Sequence, residues 1–173
     1  MSDQGYAFQE NTKYFPDRMP ERPKVKRPGS IKECAGGLFP IEMYAAVNRV
    51  EGLSPGLYHY SVPQHGLCVL KRGDRGDALA EAALGQRMVA EGSVTLIWTA
   101  VMARTFAKYG ARGLRYIYED AGHVGQNAYL AATSLGLGCC AIGAYYDEAV
   151  DRITGVDGRE ETVIYMAAIG KPE

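Results

Sequence analysis

From Pro40 onward the apolar positions recur with two different periods, and each change of period marks an element boundary. EMYAAVN (42–48) alternates apolar and less apolar residues, as a strand does when one face is buried. LYHYSV (57–62) and LCVLK (67–71) are joined by the turn-forming PQHG and predict a β-hairpin. ALAEAAL (78–84) predicts a short helix closed by Gly85. SVTLIWTA (93–100) is an unbroken β-branched run, the pattern of a central strand covered on both faces. Helix follows from about Met102 to Ala107 and, after a break at Gly110, from about Gly113 to Leu135. At ~1.5 Å per residue the second helix spans roughly 35 Å, the width of the whole domain. GLGCCAIG (136–143) supplies a helix stop and a short strand, DEAVDRIT (147–154) a helix capped by Asp147, and TVIYMAAIG (162–170) a last buried strand. Strands and helices do not alternate regularly. The prediction is an α+β fold, a mainly antiparallel sheet packed by helices around one long central helix.

Within that helix Gly122, Gly125, Ala128, Ala131 and Ala132 recur at three- and four-residue spacings. They predict a flank stripped of bulk, which another helix or a flat ligand can approach closely. Residues 1–33 read differently. Pro16, Pro20, Pro23 and Pro28 stand among Lys24, Lys26, Arg27 and Lys32, a composition that cannot hold a helix, so an arm is expected ahead of a domain at 34–173.

Composition narrows the function classes. A chain of 173 residues, 47% hydrophobic, fits one domain with its own core. Nineteen Lys and Arg against twenty Asp and Glu leave a net charge of -1, with no basic excess to hold a phosphate backbone, so nucleic acid is not expected as a partner. No apolar run approaches the ~20 residues of a membrane span, and MSDQGYAFQENTK lacks the apolar centre of a signal peptide. A cytoplasmic protein is expected. Cys34, Cys68, Cys139 and Cys140 show no CxxC spacing and are expected as buried, reduced thiols. His59, between Tyr58 and Tyr60 on a strand, is expected at the surface. His123 lies one turn before Gln126 and Asn127, where it can hydrogen-bond in an interface; no partners for a metal accompany it.

Three stretches carry a family resemblance. AGGLFPIEMYAAVNRVEGLSPGLYHY (35–60), KYGARGLRYIYEDAGHVGQNAYLAATSLGLGCCAIG (108–143) and EETVIYMAAIGKP (160–172) resemble the nitroreductase-like flavoproteins, and most closely their SagB-type dehydrogenase branch, which includes the azoline dehydrogenases. The lead-in ENTKYFPDR (10–18) is similar as well. The resemblance implies a tight homodimer that binds FMN in clefts made by both subunits. It implies a turn against the flavin at Ala35, Gly36, Gly37 and Leu38, and a second at Gly136, Leu137 and Gly138, followed by Ala141, Ile142 and Gly143. Gln126 and Asn127 match the family's QN pair, and Gly170 and Lys171 a terminal pair near the FMN phosphate. Lys108 and Tyr109 fall on the Lys-Tyr pair tied to catalysis in the azoline dehydrogenases. A lysine in a partly dry pocket beside a flavin can have its pKa lowered, so that it can take a proton as hydride leaves.

Two departures accompany the match. The family's serine before the glycine turn is replaced by Ala35, and PGSIKECAGG (28–37) passes almost directly from lead-in to turn, without the arginine-rich section that holds the FMN phosphate. Several charge-assisted hydrogen bonds normally share that load. The first expectation is therefore an FMN-dependent oxidoreductase acting on a small-molecule or peptide substrate. The alternative is a flavin-free scaffold or partner subunit, paired with a full-length paralogue.

Overall fold

The computed structural model describes residues 36–172. The arm at 1–33, Cys34 and Ala35 lie outside the described residues. Six strands, β1 (Ile41–Val47), β2 (Gly56–Ser61), β3 (Gly66–Arg72), β4 (Val94–Val101), β5 (Gly138–Ile142) and β6 (Glu161–Gly170), form one antiparallel sheet in the order β3-β2-β1-β4-β6-β5. The apolar run at 94–101 occupies the middle, paired with β1 on one side and β6 on the other. Both of its faces are covered because successive side chains point to opposite sides. On one face Ile97 joins Tyr44, Leu57 and Met166 beneath helices α1 (Gly76–Ala82), α2 (Met88–Glu91) and α5 (Asp147–Thr154). On the other, Trp98 and Ala100 meet Ile117 and Ala121 of the long helix α4 (Gly113–Ser134). Helix α3 (Met102–Tyr109) leads from β4 through a short 3₁₀ turn, Gly110–Arg112, into α4.

The 22 residues of α4 bear out the long-helix prediction, but its small residues do not form one open flank. Gly125 and Ala132 are buried, whereas Gly122 and Ala131 face outward. A Cβ at Gly125 would lie 2.9 Å from Cε1 of Tyr165 on β6, so this glycine admits a ring of the chain's own sheet. At Gly122 a Cβ would meet nothing within 4 Å.

Other local expectations are corrected by specific contacts. Helix α5 is capped at Tyr146, without a side-chain cap bond, and Asp147 is already its first residue. Asp147 then adds charge favourable to the helix N-terminus instead of a hydrogen-bonding cap. The four-residue α2 was not predicted; it is too short for a period to show, and Asn48 holds it by donating from Nδ2 to the carbonyls of Val89 (3.0 Å) and Gly92 (3.1 Å). His59 is half-buried, its Nε2 3.0 Å from Oε2 of Glu42 and its ring tilted against Tyr44. Cys68 and Cys140 are exposed and Cys139 half-buried, because they sit on β3 and β5, the two edge strands, with less of the core over them.

Asp151 is the buried carboxylate of α5; its Oδ1 accepts from the Val163 amide (2.7 Å) and its Oδ2 from the Thr162 hydroxyl (2.9 Å), joining α5 to β6. Burial raises its pKa, partly offset by those bonds. Since the folded value exceeds the unfolded one, this group's stabilisation is full in acid and is lost as pH rises through the raised value. Asp151→Asn should therefore remove part of the fall in urea-unfolding free energy between acid and neutral pH; an unchanged pH profile would show that Asp151 is not its source. Gly125→Leu should lower the unfolding free energy by about 1–3 kcal/mol through overpacking against Tyr165, while Gly122→Leu should not. Equal effects at the two positions would contradict this placement of α4.

Candidate functional site

Helix α3 presents Arg104 and Lys108, one helical turn apart, to the loop that enters β1. Arg104 Nη1 donates to the Phe39 carbonyl (2.8 Å) and to Oε1 of Glu42 (2.5 Å), and Lys108 Nζ lies 3.4 Å from the Gly36 carbonyl. The loop is thus clasped at both ends by cations from one helix face. Gly36 (φ 75°) and Gly37 (φ 81°) take the left-handed conformation that glycine tolerates, and Phe39 is held there too (φ 48°). A Cβ at Gly36 would collide with the Tyr109 hydroxyl and lie 2.7 Å from Lys108 Nζ. Lys108 Nζ in turn stands 4.8 Å from the centre of the Tyr109 ring, and that ring meets Tyr116 edge-on, 4.8 Å between centres. Gly36, Lys108 and Tyr109, far apart in sequence, are therefore one cluster. Arg104, which fastens the same loop, was missed in the sequence; its spacing of four from Lys108 was the available signal.

Behind this loop lies a cleft of about 560 Å³, with Phe39, Met43, Tyr60 and Trp98 on its sheet side and His123 and Asn127 on its helix side. Its size is that of a small-molecule site. Trp98 is 1% exposed, and its indole Nε1 is buried without a hydrogen-bond partner among the described residues. Such a donor costs about 1–3 kcal/mol until an acceptor reaches it. In the sequence Trp98 read only as core. On the opposite face of the sheet from the cleft, Tyr44 and Thr99 both donate to Oε1 of Glu161 (2.8 and 2.5 Å), and burial, then the Glu161 bond, pushes the Tyr44 phenol pKa up.

The second predicted turn lies at the other end of α4. Gly136 (φ 68°) terminates the helix: its amide donates to Thr133 (3.1 Å) and the Leu137 amide to Ala132 (2.8 Å), the paired bonds of a glycine C-cap. Gly138 then pairs with Gly170, next to Lys171. Ala141 is fixed by its amide, which donates to the Tyr129 hydroxyl (2.7 Å), and the Ile142 side chain is buried in the core. A Cβ at Gly136 or Gly143 would meet nothing within 4 Å, so backbone there is open to a planar ligand. Gln126 and Asn127 are exposed midway along α4, and Asn127 lines the cleft.

Gln126 and Asn127 apart, the described predicted residues thus divide into two half-sites. With 22 residues at ~1.5 Å each, the Gly36 cluster and the Gly136 turn are separated by roughly 33 Å along α4. One chain does not bring them together. Among the described residues no three His, Cys, Asp or Glu side chains gather to hold a metal, and no helix is long and apolar enough to cross a membrane.

Residues 35–171 match the Nitroreductase family. A candidate nitroreductase of Methanocaldococcus jannaschii is 42% identical over 137 residues, covering 79% of this chain and 68% of the relative. A candidate nitroreductase structure from Anabaena variabilis superposes with a TM-score of 0.73 at 34% identity, over 78% of this chain and 27% of that one. A chain of the E. coli microcin synthetase McbBCD complex with truncated pro-MccB17 bound shares the fold, with a TM-score of 0.72 at 21% identity, over 84% of this chain and 57% of that one. The chain therefore spans about a quarter and somewhat over half of those two solved chains.

Gly36→Ala tests the first cluster. It should cost no more than about 1–3 kcal/mol in unfolding, the penalty of a left-handed alanine, yet displace the ends of Lys108 and Tyr109. The expected sign is loss of the contacts between residue 36 and the Tyr109 ring in NMR spectra; unchanged contacts would contradict the clasp.

Proposed function

Because the chain belongs to the nitroreductase family, we propose that it is an FMN-dependent oxidoreductase of the SagB-type branch, working as a homodimer on a small-molecule or peptide substrate. The observation that carries this reading is the convergence of Lys108 and Tyr109 on Gly36, which sets a proton-carrying pair directly on the glycine turn.

The donor set fits a flavin mononucleotide as two halves. Gly136 and Gly143 leave open backbone for one side of a flat ring, with Lys171 beyond Gly170 to meet a phosphate. Gly36, Gly37 and Leu38, with Lys108 and Tyr109, form the other side. A two-fold dimer sets one end of a chain against the opposite end of its mate, and such a slot is complete only between two chains. FMN, when bound, supplies the hydride chemistry, while the protein supplies orientation and proton handling. Lys108 Nζ, held between Gly36 and the Tyr109 ring, gives or takes the proton, and Arg104 keeps the loop in register by its bond to the Phe39 carbonyl. The cleft behind Phe39 suits the apolar body of a substrate.

A second reading, a flavin-free scaffold or partner subunit joined to a full-length paralogue, is favoured by one observation. Lys108 and Tyr109 themselves occupy the space above Gly36. Incubation with FMN separates the two: the enzyme takes up yellow flavin and quenches its fluorescence, whereas the scaffold stays colourless. Lys108→Ala should then lower turnover about 100-fold or more with flavin retained. Lys171→Ala should instead weaken FMN binding about 10- to 100-fold, the worth of a charge-assisted bond. Undiminished turnover in Lys108→Ala would remove that residue from the reaction, and a wild-type chain that never binds FMN would end the enzyme reading.

A further inference from the structure

Helices α1 and α5 lie side by side on the sheet face opposite α4 and leave a groove of about 490 Å³. They run in opposite directions: at one end the Tyr146 amide donates to the Ala82 carbonyl (2.8 Å), and at the other Lys71, Arg75 and Arg152 line the groove together. Three cations against one carboxylate, Glu81, is a local excess in a chain whose net charge is -1.

The cations are not consumed by each other's neighbours. Lys71 Nζ donates to the Ile153 carbonyl (2.7 Å) and less closely to that of Arg152 (3.3 Å), so a fixed positive charge sits at the C-terminus of α5. Arg75 uses Nη2 on the Arg72 carbonyl (3.2 Å), but its Nε is buried with no hydrogen-bond partner among the described residues. Arg152 stands 4.0 Å from Glu148 on an exposed stretch of helix, a pairing worth little. Guanidinium forks of this kind match the oxygens of a phosphate.

Spacing defines what the phosphate is attached to. From Arg75 to Ala82 along α1, and from Arg152 to Tyr146 along α5, the rise is about 9–11 Å. The wall between is apolar, with Ala82 and Ala149, and the Tyr146 side chain at its end is 62% exposed. We propose that this groove binds a mononucleotide. Its phosphate is held by Arg75 and Arg152 in the field of Lys71, its sugar hydroxyls donate to Glu81, and its base lies on the Tyr146 ring. The site shares no residue with either half-site above and stands whether or not the chain uses flavin.

The test titrates adenosine monophosphate into the full chain as purified, with no free FMN added, by calorimetry and by the ¹⁵N-¹H signal of Arg75 Nε. The expected result is binding at least about tenfold tighter than that of adenosine or inorganic phosphate, with a shift of the Arg75 signal. Arg75→Gln with Arg152→Gln should weaken it about tenfold or more, Tyr146→Ala should reduce it towards the affinity of phosphate alone, and Lys171→Ala should leave it unchanged. Should the double variant not fold, Arg152→Gln alone carries the comparison, since its side chain is 74% exposed. Absence of binding, equal affinity for bare phosphate, or indifference to these arginines overturns the proposal.

Discussion

The seat of α4 across the sheet is the constraint on which the remaining geometry rests. Gly125 leaves room for the Tyr165 ring, and Ile117 and Ala121 close over Trp98, so the helix lies close against the sheet along much of its length. Helix and strand then have matching reach: 22 residues of helix and the ten of β6 both come to about 33 Å. One end of the helix therefore stands over the start of β1, the other over the pairing of Gly138 with Gly170. The two glycine turns are held at opposite ends of one rigid body.

Each turn first serves the fold. Gly136 closes α4 in a conformation that most residues resist, and Gly36 leaves space that Lys108 and Tyr109 fill. The proposed chemistry draws on what these choices expose as a by-product. At Gly136 and Gly143 it is bare backbone; at Gly36 it is a lysine set between a carbonyl and an aromatic ring. Arg104 joins fold and chemistry, because the same guanidinium grips the Phe39 carbonyl and Glu42, which in turn meets His59.

Strands and the long helix were legible because burial imposes a period over many residues: alternation at 42–48, a solid apolar run at 93–100, and a helical span broken at Gly110. What escaped depends on single contacts. A four-residue helix held by Asn48 has no period, and the cap of α5 differs by one residue because Tyr146, not Asp147, is where the backbone turns. The small residues of α4 were visible as a set, yet only the tertiary position of Tyr165 decides that Gly125 faces inward and Gly122 outward. Burial of the cysteines was misjudged for a related reason, since composition does not tell which strands are edges. The pairing of Lys108 with Tyr109 entered through family resemblance, whereas the meeting of both with Gly36 required the folded loop.

The central proposal is that the two half-sites unite only between chains. Leu38→Trp blocks one half and Gly143→Trp the other, and each variant alone should fail to quench FMN fluorescence. Refolded together in equal amounts, they should form mixed dimers with one intact slot, restoring about a quarter of the wild-type flavin sites. A mixture that binds no more flavin than the separate variants would contradict the account.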